Sequence, residues 1–328
     1  MSKFIGRKFN VGVGREATRG TGRTAQKWVS TTELTFDEKA EHAKDESVFG
    51  IIENQTDADV VKTFAEGSIS GLIDDNAIGY FLYGTLGTCG TTGPTDTSAY
   101  THAFTVAQSA QIQSLTLTAS EPNAQTTASL LFPLTVIDSL DLDFEVGQYP
   151  TYSASFMSNV SSSTTATVSY VAPANFRPQD GSIKVATTYA GITSGTTYAV
   201  RKFSLSISKN VEDDHNIGSI AVTDRLNKQF GVTGSMEIVY DARTNITELL
   251  ANSTRAIRVA FTNTNKTIGA STNPSITIDL PTIKLVEVAR NIGKDDIVMQ
   301  TLNFEAFYSL TDSKMISVSL VNDVTSYA

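Results

Sequence analysis

Cysteine is almost missing from this chain. Cys89 stands alone among 328 residues, which excludes an intramolecular disulfide and implies no oxidising compartment. Long apolar runs are missing as well. None approaches the ~18 residues of a membrane span, and the opening Met1-Ser2-Lys3-Phe4 has no apolar secretion segment, so the expectation is a chain made and folded in cytoplasm. Charge is scarce: 18% of residues are charged, where about 25% is usual. That deficit fits a subunit whose surface is largely covered by neighbours. The three histidines, His42, His102 and His215, have no partners at ligand spacing. Asp213-Asp214-His215 comes nearest to a metal cluster and reads as a solvated turn, as does Asp295-Asp296. Gly12-Val13-Gly14 and Gly20-Thr21-Gly22 lack the strand before and helix after that a phosphate loop needs, and read as a flexible arm. No motif for a catalytic serine, a zinc site or a Walker loop is present, and Cys89 has no neighbouring histidine. The reading is of no enzyme, no cofactor and no metal.

What charge there is lies unevenly. Residues 1 to 32 hold seven basic side chains against Glu16 alone, a net of +6, which leaves −15 for the remainder of a chain totalling −9. A basic arm and an acidic body attract one another between copies; a loose basic tail is the other reading. The net charge argues against nucleic-acid binding by the whole surface.

Strand patterns dominate the chain. Trp28 to Phe36, Val48 to Ile52 and Val60 to Ile73 read as strands, with the charged stretch Asp37 to Ser47 after the first, and the whole span Thr31 to Gly71 reads as a long strand pair with a protruding polar loop. Helical spacing of Ile78, Phe81, Leu82 and Leu86 predicts a helix, capped by Asp74 or Asp75 and stopped by Gly87. A second helix is expected at Arg243 to Ala251, with Ile246, Leu249 and Leu250 inward. Alternation predicts strands at Gln113–Leu117, Val168–Tyr170, Phe203–Ile207, Val232–Tyr240, Ile257–Phe261, Ile276–Leu280, Leu302–Tyr308 and Met315–Val321. No repeat of fixed period is apparent. The expected fold is mainly β and mostly antiparallel, with two helices.

The most informative stretch is Leu140 to Val146. Leu140, Leu142, Phe144 and Val146 fall on one side of a strand, and Asp141, Asp143 and Glu145 on the other. Adjacent carboxylates on one face repel, and an ordinary exposed strand relieves this with Lys or Thr. Either the face lines a surface where negative charge is wanted, or it is a solvated sheet face that happens to be acidic. Three equivalent acids on one strand do not offer the separated pKa values of acid/base catalysis. Glu237 alternates similarly, and Ser204, Ser206 and Ser208 oppose Phe203, Leu205 and Ile207; Lys202 and Lys209 at that strand's ends do not suit a purely acidic wall.

Three places carry a resemblance to the major tail tube proteins of long-tailed bacteriophages. They are the arm with Gly12-Val13-Gly14-Arg15-Glu16; the strand pair closing on Gly67-Ser68-Ile69-Ser70-Gly71 with the helix Ile78 to Gly87; and Asp296 to Ala306 followed by Leu320-Val321-Asn322. The resemblance implies two packed antiparallel sheets with a flanking helix, a long hairpin loop and an N-terminal arm. It implies an arm over 1–30 and one tube domain over 31–328, with an embellishment within 88–200. Six subunits would form a ring, and rings would stack into a hollow tube through which DNA passes without specific binding. Residues 1–27 and about 37–58 would bridge rings, giving Arg7, Lys8, Arg15, Arg19, Arg23, Asp37, Glu38, Glu41, Asp45 and Glu46 as contact candidates. Asp141, Asp143, Glu145, Glu237, Ser204, Ser206 and Ser208 would face the lumen. Partners would be a tape measure protein, a tail terminator and distal tail proteins, and the location the virion tail, assembled in the host cytoplasm. The alternatives are a virion decoration or host-attachment protein of β-sandwich fold, or a terminator or distal adaptor that caps a tube. Tyr149, Tyr152, Tyr189 and Tyr198 are scattered, against the gathered aromatics an attachment face would need.

Overall fold

The computed structural model describes residues 5–120 and 129–328; residues 1–4 of the expected arm, Lys3 among them, lie outside the described residues, as do 121–128 of the expected embellishment. The first half contains β1 (Asn10–Arg15), β2 (Lys27–Val29), β3 (Thr31–Asp45), β4 (Asp57–Leu72), α1 (Ile78–Leu86), β5 (Gly87–Asp96), β6 (Ala99–Val106), β7 (Leu115–Ser120), β8 (Ser129–Glu145), β9 (Thr151–Ser158) and β10 (Ser162–Thr164). The second contains β11 (Gly181–Ala186), β12 (Thr196–Thr197), β13 (Val200–Ser208), β14 (Val211–Asp214), β15 (Asp224–Asn227), β16 (Gly231–Val239), α2 (Thr244–Leu250), β17 (Thr254–Thr262), β18 (Ser275–Asn291), β19 (Met299–Ala306) and β20 (Ser317–Asn322).

Every ladder between these strands is antiparallel. One layer runs β3-β4-β9-β8-β13-β16-β19-β18. β8 and β18, 17 residues each, are long enough to leave it. Each bends at a register shift, between Ile137 and Ser139 or between Leu285 and Glu287, and its first half joins other strands behind the layer. There β8 lies between β7 and β10, and β18 between β17 and β20.

The two halves repeat one pairing scheme. β1 pairs with β2 and β7, β7 with β8, β8 with β10 and β9, β9 with β4, and β4 with β3. β11 pairs with β12 and β17, β17 with β18, β18 with β20 and β19, β19 with β16, and β16 with β13. Register shifts recur at matching places, Thr31/Glu33 with Val200/Lys202 and Leu115/Leu117 with Arg255/Ile257. The helices follow β4 and β16. The β5–β6 hairpin is extra in the first half, and β14–β15 in the second.

Alternation sends Leu140, Leu142, Phe144, Phe203, Leu205, Ile207, Leu302 and Phe304 into one core. Full burial of each such side chain contributes roughly 1.5–3 kcal/mol. α1 packs against β8, β6, β5 and β1, and all nine of its residues are buried. Asp74 starts it, its Oδ1 accepting from the Asn76 N–H at 2.7 Å and from that of Ala77. Gly87 ends it at φ 89°.

Several expectations are corrected. The glycine-rich start is no flexible arm from Asn10 onward: Val11 and Val13 are core residues. The long strand pair expected over Thr31 to Gly71 is present, but its polar loop is shorter than about 37–58, because β3 and β4 stay paired as a ribbon out to Asp45 and Asp57. Val48 to Ile52 is the ribbon's exposed tip rather than a strand, and Val168 to Tyr170 forms no strand. On α2, Leu250 is exposed and Asn245 is the buried residue.

Candidate channel-lining face

Side chains that point away from the core along the eight-stranded layer form one continuous polar face. Register fixes its rows. One row reads Glu33, Ser70, Ser153, Asp141, Ser206, Thr233, Glu305, Lys284. The next reads Thr151, Asp143, Ser204, Ser235, Asn303, Glu287. On the other side Thr35, Ser68, Ser155, Ser139 and Ser208 stand in line. Hydroxyls bond across the strands: Thr35 with Ser68 at 2.8 Å, Ser70 to Ser153 at 3.1 Å, Ser139 with Ser155 at 2.6 Å, and Ser204 to the Asp143 carboxylate.

The face brings together Asp141, Asp143, Glu145, Glu237, Ser204, Ser206 and Ser208, all on neighbouring strands. Lys202 stands opposite both Glu145 and Glu237, with its Nζ 3.3 Å from the Glu145 carboxylate. Lys209 is absent from the face. It is buried on the core side, donates to the Gly84 carbonyl at 2.8 Å, and burial holds its pKa well below the ordinary lysine value. Sequence reasoning missed Glu33, Glu66, Glu287 and Glu305, which share the face. Glu305 was readable from the alternation Leu302-Phe304-Ala306; the others depend on register. Nine carboxylates (those eight with Asp37) face three ammonium groups, Lys39, Lys202 and Lys284, so the balance is acidic.

The contact candidates divide. Arg7 and Lys8 sit exposed in a single helical turn, and Arg23 is exposed too. Arg15 is half-buried on β1. Arg19 is engaged within the chain: its guanidinium pairs with Asp224 at 2.5 Å and donates to the Ile112 and Arg225 carbonyls. Asp37, Glu38, Glu41, Asp45 and Glu46 are exposed along the ribbon. Glu38 accepts from the Ser161 N–H at 2.6 Å, and Glu41 pairs with Lys62 at 3.3 Å. The Asp45 carboxylate closes the turn by accepting from Ser47 and Thr56, which lowers its pKa.

The ribbon's root is braced. Thr63 donates its N–H to the Ile220 carbonyl at 2.8 Å, and Lys62 lies 2.9 Å from Asp213. Asp213 is therefore no solvated turn; it also pairs at 3.0 Å with Arg225, whose side chain is fully buried. His102 is a core residue whose Nε2 lies 3.0 Å from Asn322 Oδ1, and burial lowers its pKa. Burial raises the Cys89 thiol. Among the described residues no three His, Cys, Asp or Glu side chains gather as a metal ion would require, and no helix is long and apolar enough to cross a membrane.

Layered antiparallel sheets with one polar outer face define a β protein of sandwich type. A family model described as phage tail tube protein matches residues 6–306, and the chain belongs to that family. It is thus a structural component of a phage virion tail rather than a member of an enzyme family. No curated protein matches it in sequence.

Proposed function

We propose that this chain builds the wall of the tail tube, with the polar face of the eight-stranded layer turned to the channel. The observation that carries the reading is the continuity of that face, hydroxyls and carboxylates from β3 to β18 with its few cations beside acids. Six tube folds close each ring, and rings stack into a hollow conduit for DNA. A lysine or arginine that neutralised a phosphate would release counterions and grip the strand. Carboxylates repel phosphate, and stacking repeats the acidic rows along the bore. Arg7 and Lys8, together with the acidic ribbon, join successive rings. The tape measure protein occupies the lumen during assembly, and terminator and distal proteins close the ends.

The test replaces Asp141, Asp143 and Glu145 together with Lys in assembled virions. All three are on the polar face, so tubes should form with wild-type dimensions while genome ejection slows. Unchanged ejection moves this face off the channel.

A further inference from the structure

Resting on the tube reading above, we infer that one chain supplies two tube folds, so three chains close each ring. The repeated pairing scheme makes the halves equivalent residue by residue. Asp141 opposes Ser153 on β9 as Ala289 opposes Thr301 on β19, and Ser204 opposes Ser235 as Thr35 opposes Ser68. Each half places four strands in the polar layer.

The layer also contains its own template for association. At its centre the halves join through β8 and β13, with Asp143 opposite Ser204 and Ser139 opposite Ser208. At its ends the equivalents of those strands are free. Among the described residues β3 pairs with β4 alone, and residues 287–291 of β18 pair with β19 alone. Transferring the internal register sets β18 of one chain beside β3 of a second copy, with Asn291 opposite Thr35 and Glu287 opposite Lys39. Glu287 and Lys39 take the places of Ser139 and Ser208, and add an acid–base couple of the kind that Glu145 and Lys202 form elsewhere along the internal junction. Ile292, 68% exposed in the single chain, takes the place of Phe144, which is buried beside Phe203 at 6.1 Å between ring centroids. Free edges satisfied by identical strands leave no unpaired row anywhere in the ring.

Size decides between three chains and six. With strands about 4.8 Å apart and tilted about 40°, three chains give ~24 strands and a backbone diameter of about 48 Å. A side-chain layer of ~5 Å on each wall leaves a bore of about 38 Å. DNA about 20 Å across then runs ~9 Å from the wall, close to the ~8 Å Debye length at physiological salt. Six chains would leave a bore of about 86 Å and a gap of ~33 Å, across which wall charge is screened out. The acidic face acts on DNA only in the three-chain ring. It also acts unevenly around the circumference, because Ala289 and Asn291 replace Asp141 and Asp143 in alternate folds.

The experiment joins Thr35→Cys with Asn291→Cys in a Cys89→Ser background. After mild oxidation of assembled tubes, a non-reducing gel is expected to show one, two and three linked chains and nothing larger. A ladder reaching six, or intact tubes without cross-links, overturns the inference but leaves the tube reading standing. Native mass spectrometry of unmodified rings provides the second measurement: three chains are expected and six refute. Failure of the unmodified chain to form any ring or tube removes both.

Discussion

Asp213→Ala should be among the most damaging single substitutions outside the hydrophobic core. Asp213 compensates Arg225, whose side chain is fully buried, and anchors Lys62 at the root of the ribbon. Burial pulls the Arg225 guanidinium below its ordinary pKa, and the carboxylate opposes that pull. Removing one partner of a buried pair costs about 3–5 kcal/mol. Arg225 keeps three neutral acceptors, the Leu134 carbonyl at 3.2 Å, Asn159 Oδ1 at 2.9 Å and the Ser158 carbonyl at 2.8 Å, so the lower end, about 3 kcal/mol, is expected. An unfolding entropy of roughly 2.1 cal/mol/K per residue makes that a fall in Tm of about 4 °C if the whole chain melts together. If one half melts alone, the fall doubles to about 9 °C. Thermal and urea unfolding followed by circular dichroism measure both quantities. Asp213→Asn, which retains an acceptor, should cost about 1–2 kcal/mol. Asp213→Ala with Arg225→Met should be less destabilised than Asp213→Ala alone, because no buried charge is left unpaired. A loss under about 1 kcal/mol for Asp213→Ala would show that neutral acceptors suffice, and would refute the reasoning.

Two further outcomes are expected. Asp96 accepts from the N–H groups of Ala270, Ser271 and Thr272 at 3.0, 2.8 and 3.0 Å, which lowers its pKa from 3.8 to about 2. A depressed folded-state pKa stabilises above the unfolded value, and this is lost as pH falls from near 4 through 2. Hydrogen-exchange protection of the β5–β6 hairpin amides, taken relative to their intrinsic exchange rate, should fall over that window in wild type and be lowered already at pH 7 in Asp96→Ala; a flat profile contradicts the clasp. Deleting residues 1–8, which spares the buried strand β1, should leave rings intact and shorten tubes by negative-stain microscopy. Full-length tubes would take Arg7 and Lys8 out of the contacts between rings.

Much of the fold was legible wherever one physical signal stood alone. α1 showed through its apolar spacing, its Asp74 start and its Gly87 stop. The acidic strand showed through period-two alternation across Leu140 to Phe144. Gly12 and Gly14 misled because glycine serves flexibility and close packing alike. Here a Cβ on Gly12 would lie 2.4 Å from that of Ala25, and one on Gly14 would lie 2.8 Å from the Thr24 carbonyl oxygen. The duplication was hidden because equivalent positions keep only alternation: Phe144 answers to Ile292, and Asp141 to Ala289. Extra hairpins also vary the spacing, from 140 residues between Leu117 and Ile257 to 172 between Val13 and Val185. The polar face was half visible, since which acids share it depends on strands brought together from both ends of the chain.

The hydroxyl pairs across the strands, such as Ser139 with Ser155 and Thr35 with Ser68, bear on friction. Serine and threonine commonly donate to phosphate oxygens. In each pair one proton is already held by the neighbouring oxygen and, on the channel reading proposed above, is withheld from passing DNA. At 1 M salt, where charge repulsion reaches only about 3 Å, this withholding persists. If this face lines the channel as proposed, slipperiness built into the weave of the sheet does not depend on the ionic conditions outside the particle.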